Sequence, residues 1–156
     1  MDTALKVRRF NDALRVDELL ALVHDAFRHL VIDPPSSALK ETAADFMTRL
    51  KSETCFTMES GDRLVGAVFC IPQYDALYIG RLAVRADWRR RGIASALINA
   101  AKEEALRIGA RRMTLKARIS LASNVALFQR HGFVITAEET HAGFTAPTSY
   151  AMELTL

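Results

Sequence analysis

Apolar positions recur along this chain in two periods, and the switching between them orders its elements. Spacings of three and four mark helices: Leu19, Leu20, Val23, Ala26 and Phe27 within Asp17 to Arg28, and Leu39, Ala43, Phe46, Met47 and Leu50 within Ala38 to Leu50. The best-defined helix runs from Ile93 to Ile108, where Ile93, Leu97, Ala101, Ala105 and Ile108 share one face and Gly109 supplies a stop. A shorter helix is predicted over Asn124 to Arg130, closed before Gly132. Strands are predicted at Leu5 to Phe10, Cys55 to Glu59, Leu64 to Ile71, Ala76 to Val84, Arg112 to Ala117, Phe133 to Glu138 and Ser149 to Leu154. Ser60-Gly61-Asp62 suits a hairpin turn, and Pro34-Pro35-Ser36-Ser37 is a loop too short to divide domains. A mixed sheet with helices on both faces, an α/β (α+β) arrangement, would bury these stripes.

Composition narrows the class. At 156 residues, half of them hydrophobic, the chain is the size of one domain, spanning 1–156, with a single sizeable core. No run approaches the roughly 20 apolar residues of a membrane helix, and Met1-Asp2-Thr3-Ala4-Leu5-Lys6 lacks a signal-peptide apolar core, so a cytoplasmic protein without a membrane partner is expected. Cys55 and Cys70 lie in separate strand-like runs, where reduced, buried thiols are the expected state. His24 and His29 are poorly placed on one helical face, and no His-Glu-x-x-His or paired-cysteine motif occurs, so no metal is expected.

The candidate chemistry starts at Trp88-Arg89-Arg90-Arg91-Gly92-Ile93-Ala94-Ser95, between the apolar run Leu77 to Val84 and the helix to Ile108. A strand that breaks into a basic loop and then a helix leaves the first helical N–H groups unpaired, backed by the positive helix end. That is an anion site built from main chain. The small residues Gly92 and Ala94 let a phosphate approach, and Arg89, Arg90 and Arg91 raise the local potential. Neither a Gly-Lys-Ser/Thr ending nor a Gly-x-Gly-x-x-Gly motif is present, so other phosphate loops fit poorly.

Arg89-x-x-Gly92-x-Ala94 resembles the acyl-CoA pyrophosphate signature Arg/Gln-x-x-Gly-x-Gly/Ala of the GNAT superfamily of N-acetyltransferases. Phe128-Gln129-Arg130-His131-Gly132-Phe133 resembles that family's Tyr-x-x-x-Gly-Phe segment, and the element order agrees over nearly the whole chain. The resemblance implies a mostly antiparallel sheet of six or seven strands. In it the fourth and fifth strands, Ala76 to Val84 and Arg112 to Ala117, run parallel and splay apart to admit the cofactor. It implies acetyl-CoA, or another short acyl-CoA, as donor, a small-molecule or peptide or protein amine as acceptor, direct attack in a ternary complex, and a homodimer as a plausible assembly.

The implied cofactor contacts are Leu82, Ala83 and Val84 along the pantetheine, and Arg89, Arg90, Arg91, Gly92, Ile93, Ala94 and Ser95 around the pyrophosphate. Asn124 is a further cofactor contact, with a plain helix N-cap as its competing role, and Phe128 is cofactor-facing packing. The Leu82 N–H is the candidate oxyanion donor. Phe128 stands where many members carry the Tyr that protonates the departing thiolate, so that general acid is missing here. The candidates for moving the amine proton are Tyr74, Asp75, Tyr78, His141 and Tyr150.

Charge is uneven. Residues 1–79 carry 9 Lys/Arg and 12 Asp/Glu, residues 80–131 carry 12 and 3, and residues 132–156 carry 0 and 3, giving −3, +9 and −3. The basic middle matches a polyanionic cofactor, and the acidic flanks favour a cationic amine. The helices Asp17 to Arg28 and Ala38 to Leu50, with Asp33-Pro34-Pro35 and the segment His141 to Tyr150, should wall the acceptor pocket. Two other classes compete: a CoA-binding regulatory or sensor domain, encouraged by Phe128, and nucleic-acid binding through the Arg cluster. The second is disfavoured because exposed aromatics other than Trp88 are not interleaved with it.

Overall fold

We describe residues 5–156 in a computed structural model; Met1 to Ala4, part of the segment expected to lack a leader, lie outside the described residues. The strands are β1 (Val7–Arg9), β2 (Thr54–Ser60), β3 (Arg63–Gln73), β4 (Ala76–Val84), β5 (Arg112–Arg118), β6 (Val134–Glu139) and β7 (Ser149–Thr155). The helices are α1 (Val16–Arg28), α2 (Ala43–Arg49), α3 (Ile93–Arg107) and α4 (Ala122–Arg130). The strands form one seven-stranded sheet in the order β1-β2-β3-β4-β5-β7-β6, antiparallel throughout except for β4 and β5.

Period-two alternation divides the buried side chains between two cores, one on each face of the sheet. Leu64, Ala67, Phe69 and Ala83 meet Leu19, Leu22 and Val23 of α1 and Phe46 of α2. Val65, Val68, Leu77, Ile79, Met113 and Leu115 meet Ile93, Leu97 and Ala101 of α3 and Phe128 of α4. Strand β3 feeds both faces and is buried from Leu64 to Cys70. Cys55 belongs to the first core and Cys70 to the second, so the two free thiols sit on opposite faces of the sheet.

The second predicted helix is two pieces. A turn of 3-10 helix covers Ser37–Lys40, the chain extends at Glu41, and α2 begins only after Thr42. The Thr42 side chain accepts from the Asp45 N–H and the Asp45 carboxylate accepts from the Thr42 N–H, a reciprocal cap that starts a helix rather than continuing one. Met47, expected on the buried stripe, is 41% exposed.

Helix α3 is seated by two contacts with no sign in the local pattern. At Gly66 a Cβ would stand 2.6 Å from the Ile93 side chain, so glycine lets the helix lie close on β3. Glu104, whose side chain is 3% exposed, takes hydrogen bonds from Arg9 on β1 and from Arg107. The Arg107 hydrogen bond first, then Arg9, holds its carboxyl down at about 2, below the 4.5 of a free glutamate. A depressed folded-state value means stability present above about 4.5 that is lost as pH falls toward about 2. In urea titrations, Glu104→Gln is expected to cost about 1 to 2 kcal/mol at neutral pH, with the gap from wild type closing on acidification through that window.

Candidate functional site

The parallel pair opens where the site lies. β4 and β5 are in register only at Ala76 with Arg112, Leu77 with Met113 and Tyr78 with Thr114, although both strands continue to Val84 and Arg118. On its other side β4 carries a bulge. Ala67 faces Ala83 and Phe69 faces Gly80, so Arg81 and Leu82 together oppose Val68. Arg81 takes φ 54, a left-handed conformation that costs an arginine about 1 kcal/mol or more. Its side chain is tied down: the guanidinium donates to Glu41 Oε1 at 2.6 Å and to Ser37 Oγ at 3.2 Å, and the other Glu41 oxygen takes Arg49. The bulge reverses the alternation, so that Leu82 joins Ile79 on the α3 side while Ala83 joins the α1 side.

Beyond β4 the chain is anchored by Arg85, whose N–H donates to Val65 O at 2.9 Å and whose Nε donates to Leu64 O at 2.7 Å. The loop then bends through Arg90 at φ 62 and Gly92 at φ 78 before α3 starts. No side chain caps α3, and its first residues Ile93, Ala94 and Ser95 border the adjoining cavity. A Cβ at Gly92 would meet nothing within 4 Å, so glycine is required there by backbone conformation and not by crowding. The three arginines separate in role: Arg89 and Arg90 line the adjoining cavity, whereas Arg91 stacks its guanidinium 4.5 Å from the Trp88 ring centroid. Ser95 Oγ already shares a hydrogen bond of 3.0 Å with His131 Nε2. Burial, with Arg130 and Lys102 adding to it, holds that imidazole below the usual histidine value.

A cavity of about 1000 Å³ runs from this loop through the gap between β4 and β5 to the far side of the sheet. Leu82, Ala83, Val84, Gly92, Ile93, Ala94, Ser95, Asn124 and Phe128 all border it. Asn124 does not cap α4; Leu121 occupies that position and Asn124 stands in the first turn. Phe128 is 8% exposed and packs edge-on against Phe133, with ring centroids 6.1 Å apart.

The proton-transfer candidates divide. Tyr78 and His141 border the cavity, and Tyr150 does not. Tyr74 is 94% exposed and Asp75 is paired with Arg112, so both lie away from it. The Tyr78 ring lies over Gly80, where a Cβ would be 3.2 Å away; this explains that glycine, which also neighbours the bulge. Burial raises the Tyr78 phenol above its ordinary value, so the hydroxyl stays protonated at neutral pH. His141 Nδ1 shares a short hydrogen bond with Thr148 Oγ1. Thr148 Oγ1 also accepts from the His141 backbone N–H at 3.0 Å, so both the main chain and the ring of His141 are tied to Thr148.

On the α1 side the cavity is walled by Ala26, Phe27, Leu30 and Ile32 from the end of α1 and the loop after it, by Ser36 and Ser37, and by His141 and Ser149. Asp33 itself is not part of that wall. Arg49, Arg81, Lys116 and Arg118 are its cations, and among the described residues no Asp or Glu borders the cavity. Of the carboxylates in the acidic flanks, Glu41, Glu53 and Glu139 stand behind this lining, paired with Arg49, Arg81 and Lys116, and do not face the cavity as the expected attraction for a cationic amine would need. Cys55 and Cys70 are buried away from the cavity, and burial raises both thiols, Cys70 to about 12, so neither is a nucleophile. Among the described residues no cluster of three or more His, Cys, Asp or Glu is placed to hold a metal, and no helix is long and apolar enough to cross a membrane.

A model of the acetyltransferase (GNAT) family matches residues 16–133. No curated protein matches the chain. Among solved structures, the PaiA N-acetyltransferase of Thermoplasma acidophilum in complex with coenzyme A superposes with TM-score 0.83, at 11% identity over 99% of this chain and all 100% of that one. The ribosomal-protein-S18-alanine N-acetyltransferase of Escherichia coli gives 0.78, with 17% identity over 97% of this chain and 94% of that one. YncA, a putative acetyltransferase from Salmonella typhimurium with acetyl-CoA, gives 0.77, with 16% identity over 98% and 94%. At these identities the likeness is one of fold.

Proposed function

This chain belongs to the acetyltransferase (GNAT) family, and from that premise we propose that it passes an acetyl or other short acyl group from acyl-CoA directly to a primary amine held beside it. The observation that carries this reading is the single cavity that joins an uncapped helix end, through parted parallel strands, to a separately walled chamber on the α1 side. The residues fit an elongated polyanion: the cavity is long, its loop end is cationic, and no carboxylate among the described residues borders it. Acyl-CoA, when bound, supplies a thioester whose thiolate, with a pKa of roughly 8.5, leaves without much help from an acid. That tolerates Phe128 in place of a tyrosine.

The protein's own groups do the rest. The N–H groups of Ile93, Ala94 and Ser95, with Arg89 and Arg90, hold the pyrophosphate. Arg91 contributes through its grip on Trp88 and Asn124 through a hydrogen bond. Leu82, Ala83 and Val84 pair with the pantetheine as an added strand would, in the gap that β5 leaves open. The Leu82 N–H, turned by the bulge, stabilises the charge that develops on the acyl oxygen. Nε2 of His141 takes the amine proton and the protonated Tyr78 hydroxyl lies within the same chamber; Tyr150 acts from behind, on the strand that carries this wall. Holding the two reactants together is the larger part of catalysis. We read the protein as one domain over 1–156, acting in the cytoplasm on small-molecule or peptide amines. Val134 and Ile135, 60% and 41% exposed on the edge strand β6, support a homodimer.

Acetyl-CoA at a hundredfold excess over its Kd is expected to raise the melting temperature by roughly 5 to 10 °C. With a broad amine panel it should release free CoA thiol and give a product heavier by one acetyl group, read by mass spectrometry. Binding with no turnover across the panel would favour a CoA sensor, the reading that Phe128 encourages.

A further inference from the structure

Among the described residues, the acceptor chamber contains one cation without a counter-charge. β5 shows why it points there. Met113, Leu115 and Ala117 belong to the core under α3 and α4, so alternation sends Thr114, Lys116 and Arg118 to the α1 face. Each other cation bordering that chamber already has its carboxylate: Arg49 and Arg81 share Glu41, Arg49 also holds Glu53, and Lys116 holds Glu139 at 3.0 Å. Among the described residues Arg118 has no salt bridge, and its one hydrogen bond, to the Pro35 carbonyl, is long at 3.5 Å. The carboxylate nearest in influence, Asp33, is exposed and makes no ion pair with it. Burial holds the Arg118 guanidinium below the usual arginine value, a cost that a charge normally meets with a partner.

Building on the acyltransferase reading, we propose that Arg118 recognises an anionic group on the acceptor, making the preferred substrate a small amine that carries its own carboxylate or equivalent oxyanion, the simplest being a free amino acid. A planar guanidinium with its donors open binds such a group in two parallel hydrogen bonds. A chamber bordered by no acidic side chain among the described residues has nothing to attract a polyamine.

The test compares matched acceptors: free amino acids, their carboxamides, the corresponding decarboxylated amines, spermidine and a short peptide. The carboxamide amine, with a pKa near 8, is the more readily deprotonated of the first pair, so intrinsic reactivity opposes the expected order. Free acids should show a kcat/KM about tenfold or more above their amides. Arg118→Met should bring the acids down to the level of the amides while leaving turnover of the amides and the acetyl-CoA melting shift in place, and Arg118→Lys should restore part of the preference. Equal or faster turnover of amides, amines, spermidine or peptide overturns the proposal, as does an Arg118→Met variant that slows acids and amides alike. If Arg118→Met does not fold, the wild-type acid-to-amide ratio and Arg118→Lys decide. Failure of the underlying reading looks different: no melting shift with acetyl-CoA, or no release of thiol with any amine.

Discussion

Gly92→Val is expected to cut the acetyl-CoA melting shift to less than half of its wild-type size. The residue holds φ 78 immediately before α3, and nothing crowds its Cβ position, so the valine fits in space but not in backbone conformation. A β-branched residue in the left-handed region costs about 1 to 2 kcal/mol, and the chain escapes that cost by turning differently. The loop would then present its N–H groups in other directions, away from the proposed pyrophosphate site. A tenfold loss of affinity at the same ligand concentration halves the stabilisation, and a larger loss removes most of it. Gly92→Asn separates conformation from size, because asparagine tolerates this region and should keep much of the shift. A full shift with valine would mean that the phosphates sit elsewhere.

Arg81→Val should lower kcat with the best acceptor of the amine screen by at least about tenfold, with acetyl-CoA affinity little changed. Arg81 is the left-handed residue of the bulge, held by Glu41 and Ser37, and the bulge sets the direction of the Leu82 N–H. Removing one preorganised donor to a developing oxyanion typically costs a factor of about 100 to 1000, so a partial misdirection costs somewhat less. Valine loses the tether and resists the conformation. Arg81→Gly loses the tether but adopts the conformation freely, and should recover much of the rate. If glycine and valine are equally slow, the guanidinium matters and the bulge does not. If neither is slow, the oxyanion donor is not at Leu82.

What could be read from the residues alone followed their spacing. Ile93, Leu97, Ala101 and Ala105 repeat over four turns, and α3 appeared within one residue of its predicted end. The loop Arg89 to Ser95 was legible because a strand, a glycine and a helix in succession leave few geometries for the chain to take. The second helix was misjudged because Leu39 and Ala43 kept a helical rhythm across Thr42, while the cap that breaks it depends on the Thr42–Asp45 pair. The bulge left one local sign, Gly80 inside a strand run. An arginine at positive φ is made tolerable by Glu41, forty residues earlier in the chain, and no local pattern records that contact. Gly66 was equally silent, since its reason is the Ile93 side chain. Regional charge misled for the same cause: the acidic flanks are acidic along the sequence, yet Glu18 and Glu59 are spent on Arg15 and Glu41 on Arg49 and Arg81, and among the described residues no carboxylate borders the cavity.

The three-residue register between β4 and β5 has a mechanical consequence. It leaves a sheet of two panels stitched along a short seam, with β1 to β4 on one side and β5, β7 and β6 on the other, and little backbone pairing to resist their prying apart. A ligand that lies along β4 as an extra strand works as a rivet. Occupancy would therefore register far from the point of contact, as slower amide exchange along β5 and β7, because the two panels could then open only together.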